Sequence, residues 1–187
     1  MTSKCVFLVL FVFCVVVLFT HALFASEEGW WQDTFNHAMM ELTEENFEAA
    51  DSLFTSLAAR DEKLPQAWYG LGLVQTAQNP KSDKARKLFE KAIRLDKTYS
   101  EAYFQLALVY HARNQFIQKT RDNLRKALKY DPKFTDAWKM LLDIESEFLQ
   151  TSSIFRAYAK VIMKYPDVPA LYDNFVEMGL FQSDYAG

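Results

Sequence analysis

Cysteine is almost absent from this 187-residue chain, and the two that occur, Cys5 and Cys14, share one apolar run at the N-terminus. The body of the protein after residue 25 has no thiol, which excludes disulfides, cysteine metal sites and thiol catalysis there. Glycine and proline number five each, too few turn breakers for the many short strands of a sandwich or barrel, so long helices are expected. An excess of positive charge is also missing: 21 Lys and Arg stand against 24 Asp and Glu. Nucleic acid is therefore not an expected partner. The sequence contains no glycine-rich phosphate loop, no dinucleotide fingerprint and no zinc-protease helix motif. His37 and His111 each lack a second histidine at ligand spacing, and the carboxylate pairs Glu27-Glu28 and Glu44-Glu45 are sequence neighbours that diverge on a helix. No catalytic residue, metal ligand or cofactor site is nominated, and a non-enzymatic role is expected.

What the chain does have is a long apolar N-terminus. From Cys5 to Phe19 no side chain is polar or charged, and Thr20-His21-Ala22 follows with small residues where a signal peptidase reads. Cleavage after Ala22 fits a secretory signal. The stretch from Cys5 to Ala25, broken only by Thr20 and His21, is equally long enough to cross a bilayer and remain as an anchor. Both readings of residues 1–25 stay open. Lys4 before the run and Glu27-Glu28 after it favour a cytoplasmic N-terminus, so either one exports the remainder, as a periplasmic, luminal, secreted or membrane-anchored protein. Residues 26–30 read as a linker.

The remainder repeats itself. The strings Gln66-Ala67-Trp68-Tyr69-Gly70-Leu71, Glu101-Ala102-Tyr103-Phe104-Gln105-Leu106 and Asp136-Ala137-Trp138-Lys139-Met140-Leu141 align at 35-residue spacing. Phe54, Phe89, Leu124 and Tyr158 keep the same register, as do Leu57, Ala92, Ala127 and Val161. These residue types at these intervals resemble the tetratricopeptide repeat family. The second unit supplies Trp68, Leu71, Gly72, Ala85, Phe89 and Ala92 at the family's signature positions. The third supplies Tyr103, Leu106, Ala107, Tyr110, Leu124, Ala127 and Asp131-Pro132. The first unit is a degenerate copy, with Thr34 and His37 where a large aromatic and a leucine are usual.

The resemblance implies an all-α fold, a right-handed α-solenoid of stacked antiparallel helix pairs following the N-terminal hydrophobic helix. Four units are expected at 31–64, 65–99, 100–134 and 135–168, and residues 169–187 read as a capping helix or the start of a fifth unit. Neither helix of a pair can bury its apolar stripe alone, so the pairs stack and share a core. Ala38, Gly72 and Ala107 should let each first helix approach the second, where Ala50, Ala85 and Thr120 answer them. Pro132 and Pro166 should stop second helices. His37 takes a core-facing register and is expected to be buried or partly buried.

In the family, first helices line the concave side and hold partners there. The corresponding groove residues are Phe35, Met39, Tyr69, Leu73, Phe104, Leu108, His111 and Lys139, an apolar series suited to a peptide or helix of a partner protein. The lysines, asparagine and arginine with which some members clamp a chaperone's C-terminal carboxylate are replaced here by Phe35, Met39, Gly70, Glu101 and Gln105. The expected function is an exported or membrane-anchored protein-interaction module. A self-associating spacer, or a scaffold within a larger secretion protein or enzyme, is the alternative, and the oligomeric state is left open. Charge is unevenly spread: residues 27–62 hold ten acids and one base, while 63–139 hold sixteen bases and seven acids.

Overall fold

A computed structural model describes residues 29–114, 117–147, 151–169 and 171–173. The N-terminal segment 1–25, its alternative roles as signal or anchor, and residues 174–187 lie outside the described residues. The described chain is all-α. Its helices are α1 (Gln32–Thr43), α2 (Phe47–Arg60), α3 (Pro65–Gln78), α4 (Asp83–Leu95), α5 (Ser100–Ala112), α6 (Ile117–Tyr130), α7 (Thr135–Glu147) and α8 (Thr151–Lys164). None of these is long and apolar enough to cross a membrane. The chain divides into two compact units, residues 1–62 with α1 and α2, and residues 63–187 with α3 to α8.

In the first unit, Ala38 of α1 and Ala50 of α2 are both fully buried, which brings the two helices together over Phe54 and Leu57. The turn between them is a Schellman motif: Asn46 N–H donates to Glu41 O at 2.8 Å, and Glu45 N–H to Leu42 O at 3.2 Å. Glu45 there adopts φ 62°, the left-handed region that glycine takes more cheaply. His37 is exposed, contrary to the sequence expectation, with its ring 3.2 Å from Glu41. The equivalent Leu106 of α5 is buried in a cluster with Ala85 and Phe89 of the preceding pair. Among the described residues no pair precedes α1, so the His37 position has nothing to cover it.

In the second unit the expected contacts between small residues are present. Gly72, Ala85, Ala107 and Thr120 are all buried. A Cβ added to Gly72 would meet the Phe89 ring at 2.5 Å, so glycine is what allows α3 to lie against α4. The large aromatic of each later first helix has a second task. Tyr103 OH donates to Lys97 O at 3.4 Å, and Trp138 Nε1 donates to Pro132 O at 2.9 Å. Each ring thereby pins the turn that leads into its own helix. Those turns are shaped by aspartates: Asp96 Oδ1 accepts from Thr98 N–H at 2.8 Å, and Asp131 Oδ1 from Lys133 N–H at 2.9 Å.

The α6–α7 junction carries an ion triad. Glu145 is 1% exposed, and it accepts from Arg121 through both carboxylate oxygens and from Arg125 at 3.1 Å. Such a buried carboxylate is tolerated only because cations meet it on the neighbouring helix. Beyond α8, the fully buried Tyr158 donates its hydroxyl to Leu171 O at 2.8 Å, and the Leu171 side chain is itself buried. Residues 169 and 171–173 are helical, and Leu171 is held against the fourth pair.

Candidate interaction surface

The first helices of the second unit, α3, α5 and α7, carry six of the eight groove residues named from sequence. Tyr69 and Leu73 pack half-buried against the cluster of Phe89, Leu106 and Tyr110. Phe104 is half-buried against the core of Trp138, Leu141 and Tyr158. Leu108, His111 and Lys139 are exposed. In the first unit, Phe35 and Met39 are half-buried, and Phe35 stands edge-on to Phe54 at 5.5 Å and to Trp31 at 5.6 Å. The exposed methionine of that helix is the neighbouring Met40, at 61%.

Two of the supposed anchors are therefore already engaged. Tyr69 lies 5.0 Å from Tyr99, and Phe104 lies 4.8 Å from Phe134, centroid to centroid. Tyr99 immediately precedes the first residue of α5, and Phe134 that of α7. They belong to a row with Leu64 and Val168, spaced 35, 35 and 34 residues apart. The sequence signal was there: an apolar residue just before each first helix. Tyr99 and Phe134 cover the groove-side aromatic of the pair before them, so α5 and α7 start from an apolar residue packed against the preceding pair and not from a polar cap.

Burial and hydrogen bonding fix Tyr69 further. Burial pushes its hydroxyl up to about 12, the nearby charge of Glu101 adds to the rise, and a hydrogen bond with the Gln105 side chain opposes it. Tyr99 is raised as well, first by burial and then by Tyr69, Glu101 and Asp96. Both phenols stay neutral at any ordinary pH and serve as packing surface. What remains exposed on the first helices is Leu108, at 36%, with Glu101 and His111 on the same stripe of α5, and Asp136 and Lys139 on α7. This surface is smaller and more polar than the sequence suggested, because the aromatic row before each first helix had already occupied the rings.

No group of three or more His, Cys, Asp or Glu that could hold a metal ion occurs among the described residues. The chemistry this side can offer is recognition through an apolar centre with a mixed polar border.

Residues 88–120 match the family model described as tetratricopeptide repeat. No curated protein matches the sequence. Among solved structures, the chain is similar to TTC0263, a thermophilic protein of the same repeat type from Thermus thermophilus. That likeness has 17% identity and a TM-score of 0.62, over 79% of this chain and 80% of that one. It is also similar to YrrB, described as having an unusual peptide-binding site, at 19% identity and a TM-score of 0.56 over 85% and 82% of the two chains. A third likeness is to the first repeat domain of Spaghetti (RPAP3) bound to the HSP90 peptide SRMEEVD, at 14% identity and 0.56 over 63% and 92%. Residues 88–120 thus match a tetratricopeptide repeat, and the chain shares the all-α helix-pair fold of solved proteins built from that repeat.

Proposed function

We propose that the chain is a non-catalytic interaction module that holds a peptide or helix of a partner protein on the first-helix side of α3, α5 and α7. The observation that carries this reading is Leu108. A large apolar side chain is left exposed in the middle of α5, one turn from the engaged ring of Phe104, where neither helix capping nor core packing requires it. Two similar structures are described by the peptides they bind or the site that binds them, which supports the same use of the fold. The acidic peptide SRMEEVD would meet Glu101 and Asp136 here, so a segment of that charge is disfavoured. Export or membrane attachment through residues 1–25 belongs to the same proposal and rests on the sequence alone.

The test is selection of binders from a random peptide display library, followed by affinity measurement on variants. Leu108→Glu should weaken every selected groove binder by at least about tenfold, roughly 1.4 kcal/mol, while a change on the opposite side, such as Lys87→Ala, should not. Tyr69→Glu and Phe104→Glu are poorer probes, because both would strip cover from buried rings. Unchanged binding to a helical, folded Leu108→Glu protein would reject this surface.

A further inference from the structure

The second helices carry a pattern that the groove does not use. On α4, Lys84, Lys87, Lys91 and Arg94 fall on one helical stripe, and 35 residues later α6 repeats it with Lys119, Asp122, Lys126 and Lys129. Together α4 and α6 hold ten bases against three acids in a chain whose net charge is −3. Both helices pack against α5 in the second unit, and Ile93 of α4 joins the core that contains Leu124, Ala127 and Leu128 of α6. Lys84, Lys87, Arg94, Lys126 and Lys129 are exposed. Lys91 sits 3.1 Å above the Trp68 ring, and Lys126 sits 5.6 Å from the Tyr103 ring, so aromatic faces hold part of the stripe in place.

The fold does not demand these charges. The four equivalent positions of α2 are Ala49, Ser52, Ser56 and Ala59, all exposed and all neutral. The same helix pair therefore forms without a basic stripe, and the stripe of the central pairs needs another reason. The chain also contains its electrostatic complement. Residues 32–60 hold six acids against one base, and Glu44, Glu45 and Glu48 are exposed around the α1–α2 turn beside the exposed Met40. Exposed Leu95 and Tyr130 at the ends of α4 and α6 give the basic face matching apolar spots.

We propose that the basic face of α4 and α6 docks the α1–α2 turn of a second copy of this chain. Each copy then offers one acidic and one basic surface, a head-to-tail contact that can propagate from copy to copy. The small net charge of the whole chain keeps mutual repulsion low. This contact is independent of the groove.

The experiment mixes full-length chain in detergent, half of it labelled with nitrogen-15, and joins touching carboxylates and ammonium groups with a carbodiimide. Digestion and mass spectrometry should find linked peptides that pair Glu41, Glu44, Glu45 or Glu48 with Lys84, Lys87, Lys126 or Lys129. Mixed-isotope links should be as abundant as the two unmixed kinds combined. Raising the salt from about 0.1 M to about 1 M shortens the screening length from about 10 Å to about 3 Å and should suppress them. Glu44→Lys with Glu48→Lys should lose the links, as should Lys84→Glu with Lys87→Glu, while a mixture of the two helical variants should regain them. Links confined to one isotope, an absence of links, or failure of the mixed variants to recover would each overturn the proposal. Binding of the unlinked chain to phosphatidylglycerol vesicles that is lost in the lysine variants would assign the face to a lipid surface instead, and would overturn it too.

Discussion

Gly72 of α3 faces the ring of Phe89 of α4 so closely that the missing methyl group would lie 2.5 Å from Cε1. Alanine is the better helix former by about 1 kcal/mol, yet the fully buried Phe89 has no room to retreat. Gly72→Ala should therefore destabilise the second unit, by about 1–3 kcal/mol from overpacking, as read by urea denaturation. Adding Phe89→Leu should recover part of that loss. A more stable Gly72→Ala protein would show that helix propensity outweighs the contact.

The triad at the α6–α7 junction makes unequal demands on its members. Arg121 is 14% exposed and Arg125 49%, over a Glu145 that is 1% exposed. Removing Arg121 strands a buried carboxylate, and Arg121→Ala should cost about 3–5 kcal/mol. Arg125→Ala removes a cation already facing water and should cost about 1 kcal/mol or less. The double change Arg121→Met with Glu145→Leu should fall close to the wild type, since an apolar pair dispenses with the desolvation. Equal losses from the two single arginine changes would contradict this geometry.

Glu45 holds the left-handed position of the α1–α2 turn, and its hydrogen bonds belong to the backbone of the motif and not to its own side chain. Glu45→Gly should stabilise the α1–α2 pair by about 0.5–1 kcal/mol, visible as slower amide exchange at the end of α1. Faster exchange there would mean that the carboxylate contributes more than the backbone strain costs.

The raised hydroxyl of Tyr69 predicts an alkaline limit. An unfolded tyrosine ionises near 10, whereas the folded Tyr69 holds its proton up to about 12. Between those values the unfolded chain loses a proton that the native chain keeps, so stability is complete below about pH 10 and declines as pH rises toward about 12. Tyr69→Phe should flatten part of that decline in denaturation measured across the alkaline range. An unchanged profile would place the source in other groups, with Tyr99 the first to examine.

The period of the chain was legible because a solenoid repeats its contacts. Phe54 and Phe89 announce the core of their pairs, and Ala38, Ala50, Ala85 and Ala107 mark where helices touch; all six are fully buried. His37 was misjudged because register alone cannot tell whether a neighbouring pair exists to cover a position. Glu145 was not anticipated, since no periodicity distinguishes a carboxylate that two arginines enclose from one that faces water. On the groove side, the inward positions were readable, but their exposure was not. Tyr69 and Phe104 have their outer faces taken by Tyr99 and Phe134, and only an account of the residue before each first helix would have revealed it.

The hydroxyl of Tyr158 grips the main chain of residue 171 and not a side chain. Among the described residues, a force drawn from the C-terminal side reaches this bond before it reaches α8. Peeling must break it while it is shielded from water, where no solvent molecule stands ready to replace the lost acceptor. The last pair should therefore open under load as a brittle latch, abruptly and at one phenol, instead of fraying residue by residue.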